Sequence, residues 1–290
     1  MQQTSDVIIR RLATLEEYQA VEQVEREAWA MIDPRDYVPL HVLVTVQKNG
    51  GLVAGAFELS GKLIGFTFGF LGMTADGRLK HCSHMTAVLP SAQKREIGYR
   101  LKLFQRDEVL KQGLELITWT YDPLQRPNAR LNVAKLGAVA RTYYHNLYGA
   151  MSSGINAGLP SDRFEAEWWL KSAPVVARVE GHYEQPRLAD LLAKGVPFAL
   201  RGVQMADGYA PQRSPYDESQ DAYLVEIPYD FNALKRQSII LATAWRHESA
   251  QVFSDLFKRG YVLHDFLSEM EAKTQRAVYL LTRNRTDLFG

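Results

Sequence analysis

Residues 84–104 read HMTAVLPSAQKREIGYRLKLF, an apolar run that stops at a proline, then a polar loop, then a run with helical periodicity. This pattern predicts a strand over His81–Leu89 and a helix over Gly98–Gln112. The loop between them can point several backbone N–H groups into one hollow, and the helix N-terminus adds partial positive charge. Lys94 and Arg95 add two cationic side chains to the loop. The segment therefore predicts a site for a pyrophosphate, beside a strand end whose edge amides can hold an extended ligand arm.

The elements around this segment predict a mixed sheet with helices. Val7–Arg11 predicts a strand, and Thr14 caps the amphipathic helix that follows it. Leu52–Leu59 and Leu63–Phe70 are apolar runs on either side of a short glycine turn, which predicts a β-hairpin. Leu114–Thr120 predicts a strand parallel to the one before the helix, because a helix connects the two. The fold class is therefore α/β, with a mixed, mostly antiparallel sheet that helices flank.

The part of the chain beyond residue 172 predicts a second, smaller α/β part. Its predicted elements, in chain order, are a connection over Lys171–Pro186, a helix over Arg187–Lys194, an exposed loop over Gln204–Gln220, a strand over Tyr223–Ile227, a helix over Ile239–Arg259, and strands over Tyr261–Phe266 and Ala277–Leu281. The order strand, turn, helix, glycine, strand occurs in both parts of the chain. The second part is thus either a degenerate repeat of the first or an ordinary α/β arrangement. We place one domain over residues 1–172 and a C-terminal extension over residues 173–290.

The composition is that of an ordinary globular protein. Of 290 residues, 46% are hydrophobic, and 34 basic against 33 acidic residues give a net charge of +1. That balance indicates neither nucleic acid nor a membrane surface as a partner. The lone Cys82 excludes an intramolecular disulfide and favours a cytoplasmic location, and the first residues lack the apolar core of a signal peptide. The most apolar run, Leu63–Met73, is too short to cross a bilayer.

The segment over residues 84–104 resembles the acetyl-CoA motif of the GNAT superfamily of N-acyltransferases. That motif runs strand, V-x-P, loop, Q/R-x-x-G-x-G/A, helix, and Val88, Pro90, Gln93 and Gly98 match it. Glu96 stands where the family has glycine. Because a carboxylate beside a pyrophosphate is repulsive, we expect the side chain of Glu96 to point away from the loop.

The resemblance implies acetyl-CoA or succinyl-CoA as co-substrate and no metal. It assigns coenzyme binding to the end of the strand, the loop, the helix start and one later asparagine: Ala87, Val88, Gln93, Lys94, Arg95, Glu96, Ile97, Gly98, Tyr99 and Asn128. In the family that asparagine hydrogen-bonds the pantetheine arm, and an N-cap of the last helix is the alternative role. The runs Leu101–Val139 and Gly158–Trp168 also resemble a long subgroup with a C-terminal extension. Its N-succinyltransferases imply an amino acid as acceptor, and the extension would then cover the acceptor side.

Aminolysis of a thioester needs a base for the ammonium and a donor for the oxyanion. His84 is the preferred base, with His81 on the opposite strand face and a structural strand histidine as the alternative. By strand alternation, His84 shares its face with Thr86 and Val88. A backbone N–H near Val88 can stabilise the oxyanion.

The leaving thiolate has a candidate proton donor among the residues after the last helix. In many GNAT enzymes a tyrosine on that helix has this role, but Val133 or Asn132 holds its place here. Tyr148 is our candidate substitute, with Tyr143 and Tyr144 as alternatives, and aromatic packing is the competing interpretation.

Three further residues are candidates for substrate contacts. Trp119 and Tyr121 alternate along the fifth strand and are predicted to wall the acyl pocket, or else to pack in the core. Arg163 offers a bidentate fork for an acceptor carboxylate, or else forms a local surface pair with Asp162. His81, Cys82 and His84 lie too close along one strand to converge on a metal without a bulge.

The sequence favours an N-acyltransferase that acts on a small-molecule amine. Two alternatives remain open: a non-catalytic acyl-CoA-binding module, which Glu96 and the missing tyrosine favour, and an acetyltransferase of protein N-termini or lysines. The sequence also leaves open whether the sheet is completed within one protomer or across a homodimer.

Overall fold

The computed structural model describes residues 7–29, 37–93, 95–149, 158–217, 219–271 and 274–289. These residues form two compact units. The first takes in the described residues up to Trp119, and the second takes in those from Thr120 onward. The division between the units differs from the predicted domain boundary after residue 172, which stays a prediction.

The first unit is a five-stranded sheet on which three helices pack. Its elements are β1 (Val7–Arg11), α1 (Leu15–Trp29), α2 (Leu40–Lys48), β2 (Leu52–Glu58), β3 (Leu63–Met73), β4 (Leu79–Val88), α3 (Ile97–Lys111) and β5 (Leu116–Tyr121), the last of which continues into the second unit. Neighbouring strands follow chain order, with antiparallel pairs from β1 to β4 and a parallel pair of β4 with β5. The predicted hairpin and parallel crossover are confirmed. Helix α2 was not predicted.

Local capping and an apolar face explain why α1 forms at the predicted place. The hydroxyl of Thr14 accepts the Glu17 N–H at 3.4 Å, and the Glu17 carboxylate accepts the Ala13 N–H at 2.7 Å. This reciprocal arrangement satisfies backbone donors that a helix N-terminus leaves open. Val21 and Val24 then face the core cluster of the first unit.

The second unit combines a seven-stranded arrangement with five helices among its described residues. Its elements are α4 (Arg126–Ala129), β6 (Val139–Tyr144), β7 (Arg163–Trp169), α5 (Ala173–Val179), α6 (Leu188–Ala193), β8 (Phe198–Met205), β9 (Gly208–Arg213), β10 (Ala222–Ile227), α7 (Phe231–Gln237), α8 (Ile239–Lys258), β11 (Val262–Glu271) and β12 (Thr274–Thr282). The strand order is β7-β6-β11-β12-β10-β8-β9, and among the pairs of this order that the structure describes only β8 and β10 are parallel. A π-helical turn over Arg130–Lys135 extends α4. The predicted fold class, a mixed and mostly antiparallel sheet with helices, is confirmed.

Two predictions for the later part of the chain were wrong. The predicted loop over Gln204–Gln220 contains the end of β8 and all of β9, which form a hairpin. The ring of Tyr209 lies against the backbone of Gly202, where an added Cβ would lie 2.1 Å from the ring. The hairpin of β8 and β9 is thus stabilised by the Tyr209 ring over Gly202 and not by an alternating apolar pattern. The predicted connection over Lys171–Pro186 contains α5, which Ser172 precedes.

A buried ion pair links the start of the second unit to α8. The Arg246 guanidinium of α8 donates to both carboxylate oxygens of Asp122, at 2.7 Å each. Both side chains are 4% exposed. The hydroxyl of Tyr279 donates to the carbonyl of Pro123 at 2.9 Å. The residues just after β5 are therefore fixed by α8 and β12.

None of the helices among the described residues combines the length and the apolar character that a membrane span requires.

Candidate active site

A bulge interrupts β4 at a candidate catalytic residue. Phe68 of β3 pairs with Met85, but the next residue, Gly69, pairs with Ser83. His84 is therefore the extra residue of a β-bulge, a feature that often lies next to active sites. Gly69 fits this place because a Cβ there would lie 2.2 Å from the Nε2 atom of His81.

The bulge changes which residues share a face of β4. The ring of His84 lies 5.6 Å from that of Phe68 and 6.1 Å from that of Phe70. Thr86 instead meets Thr67, with 2.8 Å between their hydroxyl oxygens. The prediction that His84 shares a face with Thr86 was therefore wrong, because one extra residue shifts the alternation of the strand. His84 remains exposed, yet the protein around its ring lowers its pKa by partial desolvation.

His81 is fixed in the interior, where it cannot act as a base for a bound substrate. It is 1% exposed, and its Nε2 atom lies 3.2 Å from the Gln105 amide nitrogen. Burial, together with the charge of Lys102, lowers the pKa of His81 to about 3. The described residues contain no group of three His, Cys, Asp or Glu side chains that could hold a metal ion.

The end of β4 presents backbone amides along an edge that has no strand partner among the described residues. In the described part of the chain, β4 pairs with β5 only at His81–Ile117 and Cys82–Thr118. On its other edge, the Leu89 N–H donates to the Ile64 carbonyl at 2.9 Å. Because successive N–H groups of a strand point to opposite edges, the N–H groups of Thr86 and Val88 point away from β3. They point to the edge where the ladder with β5 has ended.

The loop after β4 is anchored by apolar residues and presents polar ones to solvent. Leu89, Ala92 and Ile97 are buried, and a 3-10 turn covers Pro90–Ala92. Gln93 is exposed. The predicted ligand residue Lys94 lies outside the described residues. The loop is thus held by its buried residues at both ends.

Arg95 and Glu96, the last two residues of the loop, are exposed. An ion pair at 3.5 Å joins Arg95 to Glu58 of β2. Glu96 immediately precedes α3 and has φ 55° and ψ 18°. These angles lie in the left-handed region that favours glycine. They therefore explain why the motif that this loop resembles has glycine at this position.

The remaining predicted coenzyme residues of the first unit are placed in different ways. Ala87 and Ile97 are buried, so they can contact a ligand only through the backbone. Gly98, the second residue of α3, is half-buried. Tyr99 is half-buried too, and burial, with the charge of Glu96, raises its pKa.

A buried lysine, which the sequence analysis missed, lies behind the bulge. Lys102 of α3 is 3% exposed, and its ammonium lies 3.8 Å from the ring centre of Trp119. Trp119, predicted to wall an acyl pocket, is half-buried. The available signal for a buried lysine was a charged residue next to Leu101 on the inward side of the predicted helix.

In the second unit, the structure separates three tyrosines that were candidate proton donors. The Tyr143 hydroxyl donates to Asp162 at 2.7 Å, and burial, with that carboxylate, raises its pKa far above the ordinary value. The Tyr144 hydroxyl donates to Glu165 at 2.8 Å, and burial likewise raises its pKa to about 12. Tyr148 is exposed. It is therefore the candidate that solvent and small molecules can reach.

The Tyr148 side chain meets a threonine and an arginine of the second unit. Its hydroxyl lies 2.9 Å from the hydroxyl of Thr120, and the Arg163 guanidinium lies 5.3 Å from its ring centre. Arg163 opens β7, is buried, and donates to the Asp162 carbonyl at 2.8 Å. Burial lowers the pKa of Arg163, and the carboxylate of Asp122 opposes that effect. The alternative of an exposed surface pair between Arg163 and Asp162 was therefore wrong.

The other two predicted residues of this unit differ in exposure. Tyr121 is buried in the aromatic core, with its ring 5.6 Å from that of Phe164. Asn128 is exposed and lies within α4, whose N-cap is Gln125. The alternative role of Asn128 as an N-cap was therefore wrong.

No protein-family model matches the chain, and no curated protein matches it. Solved structures are similar to part of it. The NatC complex bound to Gag peptide and CoA matches with 13% identity over 58% of this chain and 100% of that one, at a TM-score of 0.47. The ribosomal-protein-S18-alanine N-acetyltransferase from Escherichia coli matches with 19% identity over 56% and 92%, at 0.44.

A further similar structure is the acetyltransferase of the GNAT family from Streptococcus pneumoniae. It matches with 13% identity over 56% of this chain and 97% of that one, at a TM-score of 0.45. At such identities and TM-scores, nothing about function is transferred from these proteins to the chain.

Proposed function

We propose that the chain is an acyl-CoA-dependent N-acyltransferase that moves an acetyl or succinyl group to the amine of a small molecule. The observation that carries the proposal is the end of β4, where the N–H groups of Thr86 and Val88 point to an unpaired edge. That edge leads directly into an anchored loop and the N-terminus of α3. An extended amide-containing arm followed by a pyrophosphate has the matching order of groups.

The proposed reaction begins with a neutral amine. His84 takes the proton from the substrate ammonium, and its lowered pKa keeps the imidazole unprotonated at neutral pH. The amine then attacks the thioester carbonyl. The Val88 N–H donates to the oxyanion that develops on the carbonyl oxygen.

Collapse of the tetrahedral intermediate breaks the carbon–sulfur bond and releases a thiolate. The thiol it becomes has a pKa of roughly 8.5, so the thiolate leaves without a strong acid. Tyr148 is the proposed proton donor to the sulfur, because it is the exposed tyrosine of the three candidates. The products are an amide and free coenzyme A.

The acceptor that we propose is an amino acid. Its carboxylate would be bound by Arg163, whose guanidinium is desolvated beside the ring of Tyr148 and therefore interacts strongly with an anion. Trp119 would wall the acyl group, and Asn128 would bind the pantetheine arm. Residues 173–290 would cover the acceptor side. We propose a cytoplasmic enzyme, either monomeric or a homodimer.

One observation favours a second candidate, a non-catalytic acyl-CoA-binding module. Glu96 places a carboxylate immediately before the N-terminus of α3, where it offsets the positive end of the helix. A protein that acetylates N-termini or lysines is a third candidate, distinguished only by its acceptor.

Calorimetric titration with acetyl-CoA and with succinyl-CoA tests the proposal first. Binding of either donor, followed by release of free thiol when D- and L-amino acids are added, is the expected result. Binding without thiol release from amino acids or peptides would support the non-catalytic module. The Gly98→Val variant serves as the control, because a branched side chain at the start of α3 is expected to remove binding. Absence of binding by the unaltered chain would overturn the proposal.

A further inference from the structure

Lys102 brings a charged group into the interior of the first unit. Its Nζ atom donates to the Ser83 hydroxyl and to the Gln105 side-chain oxygen, at 2.9 Å each. It also lies 3.8 Å from the ring centre of Trp119. A buried ammonium is costly unless it is hydrogen-bonded, so such a group at 3% exposure needs these partners.

The position of these partners coincides with the end of a strand ladder. The pairs of β4 with β5 are His81–Ile117 and Cys82–Thr118. One further step along the same register would pair Ser83 with Trp119. Those two residues are the ones that the ammonium contacts, and the bulge residue follows directly.

We propose that Lys102 is a positioning residue that acts as a wedge between β4 and β5. It fixes the point at which the two strands separate, and it thereby orients the edge amides of Thr86 and Val88. The proposal that this orientation serves acyl-CoA rests on the function proposed above. The wedge itself involves only strands of the first unit.

The charge of the wedge changes close to neutral pH. Burial lowers the pKa of Lys102 to about 7, and the neighbouring Cys82 opposes that effect. Below that pH the ammonium faces the Trp119 ring and gains a cation–π interaction, which the neutral amine above that pH lacks. The facing titratable groups are Cys82 and His81 of β4, and Arg11 of β1 acts on His81. His81 is neutral throughout this range because its pKa is about 3, and Arg11 is held by Glu108 at 2.7 Å.

The test uses Lys102→Met, which keeps the length of the side chain and removes its charge. The matched control is Lys111→Met, a change of the same kind on the same helix at a 72% exposed side chain. Trp119 fluorescence, taken as the difference between each protein and its Trp119→Phe derivative, is followed from pH 5.5 to 9. The dissociation constant for acetyl-CoA is measured by calorimetry at pH 6 and pH 8.5.

We expect Trp119 emission to titrate with a midpoint near pH 7 in the unaltered chain and in Lys111→Met, and not in Lys102→Met. We expect Lys102→Met to weaken acetyl-CoA binding about tenfold at pH 6, the loss of roughly one hydrogen bond to a charged group. The difference should shrink at pH 8.5, where the unaltered lysine is neutral too. Equal dissociation constants for the two proteins at both pH values would overturn the proposal.

Ser83→Ala keeps the test decisive if Lys102→Met does not fold. Loss of this acceptor disfavours the ammonium, so the Trp119 midpoint should fall and acetyl-CoA binding should weaken about threefold. An unchanged midpoint in Ser83→Ala would contradict the wedge. If the unaltered chain does not bind acetyl-CoA, the proposed function fails, and the fluorescence titration alone then decides whether Lys102 controls Trp119.

Discussion

Replacing Glu96 by glycine should raise the free energy of unfolding, although the side chain of Glu96 is lost. A non-glycine residue in the left-handed region costs about 1–2 kcal/mol, and Glu96 has φ 55°. Glycine loses about 0.5–1 kcal/mol more conformational entropy on folding, which offsets part of that gain. The carboxylate also interacts favourably with the helix N-terminus by about 0.5 kcal/mol, and this is lost on replacement. The net expectation for Glu96→Gly is a small gain, near 0.5 kcal/mol or less.

The matched variant Glu96→Ala separates the backbone from the charge. It loses the same carboxylate but retains a Cβ in the left-handed conformation. The Glu96 carbonyl accepts the Arg100 N–H at 3.0 Å, so the first turn of α3 holds this conformation in every variant. We therefore expect Glu96→Gly to exceed Glu96→Ala in unfolding free energy by about 1 kcal/mol.

Urea denaturation with a common m-value measures this difference, and calorimetry measures acetyl-CoA binding to the same proteins. Both variants should bind the coenzyme about two- to threefold more tightly, because removal of one nearby like charge in water contributes roughly 0.5 kcal/mol. Equal stability of the two variants would refute the argument from backbone strain. Weaker binding in both variants would refute the idea that the carboxylate opposes a pyrophosphate.

Further predictions concern four other residues. Gly98→Val should remove measurable acetyl-CoA binding in calorimetry while the far-ultraviolet circular dichroism stays that of the unaltered chain. His84→Ala should lower kcat at least tenfold with little change in the dissociation constant for acetyl-CoA. Because partial burial lowers the pKa of His84, kcat/KM of the unaltered chain should rise with pH only below about 6.5 and then level off. This rise should be absent from the variant. Tyr148→Phe should lower kcat but change the melting temperature little, because the side chain is exposed and loses only its contact with Thr120; an unchanged kcat would remove Tyr148 as the proton donor. Arg246→Met should cost about 3–5 kcal/mol in urea denaturation, since it removes the counter-charge of a buried carboxylate, and a loss below 1 kcal/mol would contradict that account.

The elements around the candidate site could be predicted because their signals are local. Thr14 predicts a helix N-terminus, and a turn with Gly61 between two apolar runs predicts a hairpin. The helix between the runs that became β4 and β5 is enough to predict that these strands are parallel. Each inference needs only one continuous stretch of the chain.

The bulge at His84 could not be predicted in the same way, because it depends on how two strands are aligned. Period-two alternation placed His84 with Thr86, and one extra residue invalidates that rule. The one available signal was Gly69, a glycine inside a strand, which often marks a bulge or a close approach of another group. Lys102 was missed because charged residues are rarely buried, and only tertiary partners make its burial tolerable.

The ion pair between Asp122 and Arg246 also sets the order in which the chain can fold during synthesis. The described residues of the first unit end at Trp119, but Arg246, the ion-pair partner of Asp122, lies 124 residues later. At ribosomal rates of about 5–20 residues per second, that interval is on the order of ten seconds. During this interval all strands of the first unit have been synthesised, but the Asp122 carboxylate that follows them is still hydrated. The residues just after β5 therefore take their final form late, when α8 leaves the ribosome.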